Sequence, residues 1–216
     1  MAVTCSGMTA DFHRQSPSRR RLGGSDLERA QQIIDLAWAD LPSSHRALLE
    51  AIGADQRRAV DHPLGQAVAD LLRSAGHRAM DSAQKGALDA ALGVWVRELR
   101  VVLVDAGHEK HVGLDEPSYE AALVRVAWHE WGHALSLDRA TEDDIRAGSR
   151  LLKLAPEGVA AIIRGGGYGS REWTHELVAE VYALLMARRR RGQKGQPPWL
   201  DNEIWSLMKR VAEWDE

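Results

Sequence analysis

Apolar residues recur at helical spacing along most of the chain. In the first stretch Ile33, Ile34, Ala37, Trp38 and Leu41 form one stripe. Ser25 is its expected cap, with Glu28 three positions on, and Pro42 is its stop. Ser43 or Ser44 opens a second helix that carries Leu48, Leu49 and Ile52 and ends at Gly53. Pro63 suits the start of a third, with Leu64, Val68, Leu71 and Leu72 as its stripe. A fourth runs from Ser82 towards Trp95. Helices are also predicted over 117–137, 141–155, 156–164, 171–190 and 201–214, with Thr141 and Asp144 as a capping pair. Residues 54–62 follow neither period and read as irregular.

One segment breaks the helical pattern. Leu99–Val104 is short and β-branched and closes on Asp105-Ala106-Gly107, which predicts a strand. A second strand fits best at Val94–Val96. Residues 105–116 read as a polar loop with exposed His108 and His111. The expected fold class is therefore α+β, mainly helical, with a small sheet.

Length and composition narrow the picture. The 216 residues suit one domain, and 44% apolar with 27% charged residues suits a folded one. Residues 1–24 are expected to be a disordered leader, because Arg19-Arg20-Arg21 and Gly23-Gly24 build no core. Residues 25–97 form a helical N-terminal part, and 98–216 carry the chemistry. Twenty-eight Lys and Arg against 31 Asp and Glu give a net charge of −3, which argues against a nucleic-acid partner. Arg188–Arg191 end a helix, where cations complement the carbonyl dipole. No run reaches the ~20 apolar residues of a membrane span. The N-terminus shows no apolar signal-peptide segment, so the expected location is cytoplasmic. A single cysteine, Cys5, excludes an internal disulfide framework and Cys-rich zinc modules.

The informative element is His129-Glu130-Trp131-Gly132-His133. Histidines four apart lie roughly 40° apart around a helix, so both imidazoles reach one ion. Glu130 is rotated by about 100° from His129 and can approach a water at that ion without ligating the metal. This is the division of labour that metal-assisted hydrolysis needs. Val124, Ala127, Trp128, Trp131 and Leu135 form the apolar back of the same helix. A catalytic zinc site needs a third protein ligand. Glu176 and Glu180 share a face of the 171–190 helix: one can ligate, and the other can hold a ligand histidine by its second nitrogen. His175 is the competing ligand, with Glu172 a weaker one. Gly132 lets the glutamate helix come close.

HEWGHAL, followed some forty residues later by HELVAEVYALLM, resembles the gluzincin metallopeptidases, in particular the anthrax lethal factor catalytic domain and the Pro-Pro endopeptidases. The resemblance covers residues 117–190. It implies a zincin-like domain with an active-site helix pair. Carried over position by position, it implies zinc on His129, His133 and Glu176, Glu130 as general base and Glu180 as the supporting acid. Tyr168 matches the tyrosine that steadies the oxyanion. The implied function is a zinc-dependent endopeptidase acting on a peptide or protein, with no nucleic-acid or membrane partner. In the family an edge strand pairs with the extended substrate, a role that Leu99–Val104 would fill. A zincin-fold regulatory or binding domain, with structural zinc or none, is the alternative.

Overall fold

The computed structural model describes residues 3–5, 19, 22–166 and 168–214. Strand β1 (Val3–Cys5) comes first, then α1 (Gly24–Ala39), α2 (Ser43–Ala51), β2 (Gln56–Val60), α3 (Leu64–Ser74) and α4 (Ser82–Asp89). Strands β3 (Gly93–Val96) and β4 (Val101–Asp105) follow. A short 3-10 turn at Glu109–His111 leads into α5 (Glu116–Arg139). The rest is helical: α6 (Glu142–Arg146), α7 (Gly148–Leu154), α8 (Glu157–Gly165), α9 (Trp173–Arg190) and α10 (Asn202–Ala212). The chain is thus mainly helical with one small sheet, an α+β fold. Among the described residues no helix is long and apolar enough to cross a membrane.

The sheet order is β1-β3-β4-β2. β2 runs parallel to β4, whereas β3 is antiparallel to both β4 and β1. β4 is buried along its whole length. Its side chains alternate between two cores, as the two-residue period of a strand requires. Val101 and Leu103 join Leu64, Val68, Leu72 and Leu88 from α3 and α4. Val102 and Val104 join the larger core built on α1, α5, α9 and α10. Residues 25–97 therefore supply two strands and a covering helix layer to the sheet that carries β4.

Several sequence readings hold. Pro42, Pro63 and Asp201 stand at helix starts, and Thr141 with Asp144 forms the expected box. Others shift. At the start of α1 the Asp26 carboxylate accepts from the Gly23 N–H, in place of a cap built on Ser25 and Glu28. The 82–95 helix stops at Asp89, and Gly93–Val96 becomes β3. The 141–155 helix divides into α6 and α7. Residues 54–62, read as irregular, contain β2; its Gln-Arg-Arg start hides a rim strand whose partner is the apolar β4. β4 is an inner strand paired on both sides, so the edge position expected of Leu99–Val104 is not its own; the sheet's edges are β1 and β2.

Within 1–24, where a disordered leader is expected, Gly24 already belongs to α1 and two earlier places are also structured. Val3–Cys5 pairs with β3, and Arg19 grips the fully buried Asp105 through two contacts of 2.6 and 2.8 Å. The open rim of β3 and a buried carboxylate both demand a partner, which the N-terminal segment supplies. Residues 1, 2, 6–18, 20 and 21 lie outside the described residues.

Candidate metal centre

α5 and α9 lie side by side across the centre of the molecule. At Gly132 the two helices come close together. A Cβ there would stand 2.7 Å from the Ala179 Cα and 3.1 Å from the Tyr182 Cβ. The nearer distance is to backbone, so no rotamer change relieves it. Gly132→Ala is therefore expected to push the helices apart and cost about 1–3 kcal/mol of stability, read as a lower denaturation midpoint. An unchanged midpoint would refute this account of the helix pair.

The close approach sets four side chains against one another. His129 and His133 project from α5 with ring centroids 4.6 Å apart. Glu176 projects from α9, 3.4 Å from the His133 Nε2 and 3.8 Å from the His129 Nε2. Glu180, one turn further along α9, places Oε1 3.2 Å from the His129 Nδ1. Its other oxygen accepts from the Arg125 Nη2 at 2.9 Å. Nδ1 of His129 is thereby occupied and Nε2 is turned towards Glu176. This arrangement, a carboxylate orienting an imidazole by its second nitrogen, is typical of a metal-ligating histidine.

His129, His133 and Glu176 are buried, and together they could hold a metal ion. Among the described residues they are the one group of three such side chains that come within reach of a single ion. The His129 Nε2, the His133 Nε2 and the Glu176 Oε1 are each buried with no hydrogen-bond partner. Three buried polar atoms facing one another without partners are costly unless something satisfies them together, as a cation would. Donors at ~2.0–2.1 Å from a tetrahedral ion stand ~3.3–3.5 Å apart. The observed 3.4 and 3.8 Å lie close to that spacing. The residues present thus fit a small cation with nitrogen and oxygen ligands.

The electrostatics point the same way. Burial pushes the Glu176 carboxyl up to about 8, the charges of Glu130 and Glu180 push with it, and only His129 pulls back. Burial works against a charged His129, but Glu180, Glu130 and Glu176 overcome it and raise the ring to about 9. His129 and Arg125 overcome the burial of Glu180 and hold it near 2. His133, buried beside His129, is held well below the usual histidine range. A dication at this point would draw the Glu176 proton off and replace the charge that His129 otherwise carries among three buried glutamates.

Glu130 is fully buried, next after His129 on α5 and against the start of β3. A Cβ on Gly93 would stand 2.9 Å from both the Glu130 Cγ and Oε1. The absence of a side chain at Gly93 is what lets the strand pass over the carboxylate. Tyr168 sits on the loop between α8 and α9 and is half-buried. The Trp173 indole donates to the Tyr168 carbonyl at 3.1 Å and so ties this loop to the first turn of α9. Gly167 lies outside the described residues.

His175, the rival ligand, is not one of the group within reach of a single ion. Its Nδ1 lies 2.8 Å from the Ser136 hydroxyl. Glu172 caps backwards onto the Gly169 N–H at 2.9 Å. His108 and His111 are buried rather than exposed. His108 caps the turn by accepting from the Lys110 N–H, and burial beside His111 lowers it to about 4. Arg125 and Gly93 went unnoticed in the sequence. Arg125 lies one turn before His129, a visible signal once a buried Glu180 is expected; Gly93 gives none, because its role depends on β3 reaching α5.

Comparison with protein families, with curated proteins and with solved structures finds no match to this chain. The functional reading therefore rests on the geometry above.

Proposed function

We propose that this protein is a zinc-dependent endopeptidase with a zincin-like domain, resembling the gluzincins. The observation that carries the reading is the trio of partnerless buried atoms on His129, His133 and Glu176, with Glu130 next along the same helix. Two imidazoles and a carboxylate suit zinc among the common ions. When bound, zinc supplies Lewis acidity, making a water acidic near neutral pH and polarising a carbonyl. Glu130 takes the proton of that water and later delivers it to the leaving amine. Glu180 keeps the Nε2 of His129 aimed at the ion through its hold on Nδ1. The Tyr168 hydroxyl donates a hydrogen bond to charge developing on the carbonyl oxygen.

The test is hydrolysis of a peptide library by the purified chain, with and without a chelator. Cleavage that stops with the chelator and returns with zinc is expected. Cleavage indifferent to the chelator would refute the reading.

One observation favours a second reading. His129, Glu130, His133 and Glu176 are all at most 5% exposed. A site this closed is also what a structural zinc in a non-catalytic regulatory domain needs. Stoichiometric zinc with no cleavage of any library peptide is the outcome that this second reading expects.

A further inference from the structure

Beside the metal centre, on the Arg125 side of Glu180, a cavity of about 450 Å³ opens between α8 and the C-terminal half of α9. Glu180 is part of its wall. The cavity and His129 therefore share one carboxylate, with Oε1 on the histidine and Oε2 on Arg125. The size is that of a small-ligand or side-chain pocket, not of a surface for a folded partner.

The lining has two characters. Ile162, Leu184 and Trp199 make it mostly apolar. Ile162 and Trp199 are 40% exposed, among the few large apolar side chains left so open. Arg125, Arg188 and Arg191 make it cationic. Arg125 is already neutralised by Glu180. Arg188 is not: its Nε is buried and has no hydrogen-bond partner among the described residues. A buried guanidinium nitrogen left unsatisfied is expensive, and an arginine fork matches a carboxylate. The C-terminal dipole of α9 accounts for cations at the helix end, but not for one whose Nε is closed off from both water and carbonyls.

We infer that this pocket binds an acidic peptide segment bearing a large apolar side chain, with the apolar group against Ile162, Leu184 and Trp199 and a carboxylate on Arg188 and Arg191. On the peptidase reading, on which this assignment rests, the segment is a part of the substrate remote from the bond that is cut, because Glu180 stands between the pocket and His129. The protein then selects acidic, apolar sequences.

The test uses the full chain carrying Glu130→Gln, so that bound peptide is not consumed. Fluorescence anisotropy compares two short labelled peptides built around Trp-Leu, one flanked by Glu and Asp and one by Lys. The acidic peptide is expected to bind at least about tenfold tighter at low salt, with the preference shrinking as salt rises. Arg188→Ala with Arg191→Ala should remove most of that preference, and the double lysine variant should retain much of it, since charge survives although the fork does not. Trp199→Ala should weaken both peptides alike. Equal affinity for the two peptides, no binding of either, or a preference untouched by the double alanine variant would overturn the assignment. Zinc content and wild-type cleavage are measured separately, so failure of the pocket and failure of the peptidase reading give different results.

Discussion

Replacing Glu130 by Gln is expected to lower peptide hydrolysis by about 10²–10⁴-fold, the usual contribution of a general base. Zinc content should stay at the wild-type level, because Glu130 is not among the three side chains grouped around the cation position. Glutamine has the shape of glutamate and fits the narrow space beneath Gly93, where even an added Cβ would come within 2.9 Å of the carboxylate. Loss of activity in this variant would therefore report on a missing base rather than on a rebuilt core. The check is turnover on a cleaved library peptide together with metal content by mass spectrometry. Wild-type turnover in the Gln variant would rule out Glu130 as the base.

Removing a ligand should have the larger effect on the metal. His133→Ala and Glu176→Ala are each expected to lose zinc, because each deletes one of three partnerless atoms that converge on the same point. His175→Ala should keep stoichiometric zinc, since that ring is engaged with Ser136. Glu180→Gln should hold zinc about 10–100-fold more weakly, through loss of the carboxylate that orients His129. The same variants give a thermal readout. Zinc at a thousand times its Kd would stabilise the wild type by about 4 kcal/mol. The rise in Tm on adding zinc should vanish in His133→Ala and Glu176→Ala and persist in His175→Ala. Zinc retained by Glu176→Ala and lost by His175→Ala would show that the ligand set is wrong.

How much of this was legible beforehand differs from element to element. α5 and α9 could be read because each is long, rich in apolar residues and cleanly bounded: Asp115 accepts from the Ser118 N–H ahead of α5, and arginines close α9. The rim strand β2 could not. Its sequence, QRRAV, carries no alternating stripe, and the backbone of β4 is what holds it extended. The Val3–Cys5 strand was hidden for a similar reason: nothing in a Ser- and Arg-rich segment announces that a strand edge waits for it. His108 and His111 were misread as exposed because a short polar loop is usually wet, whereas here the turn folds under Tyr119.

The amino-acid order settles matters of spacing along one helix. Two histidines four apart must share a face, and so must Glu176 and Glu180, wherever those helices lie in space. Which glutamate meets the metal position, and which holds a histidine from behind, depends on the distance and stagger between two helices some forty residues apart in sequence. That stagger follows from Gly132 lying against Ala179, and it puts Glu176 opposite both imidazoles and Glu180 opposite the Nδ1 of His129. The pocket of Arg188, Ile162 and Trp199 belongs wholly to the second kind of knowledge. Its walls come from α8, α9 and the segment beyond, and no local pattern relates them. Periodicity is a property of the chain, while the meeting of two faces is a property of packing.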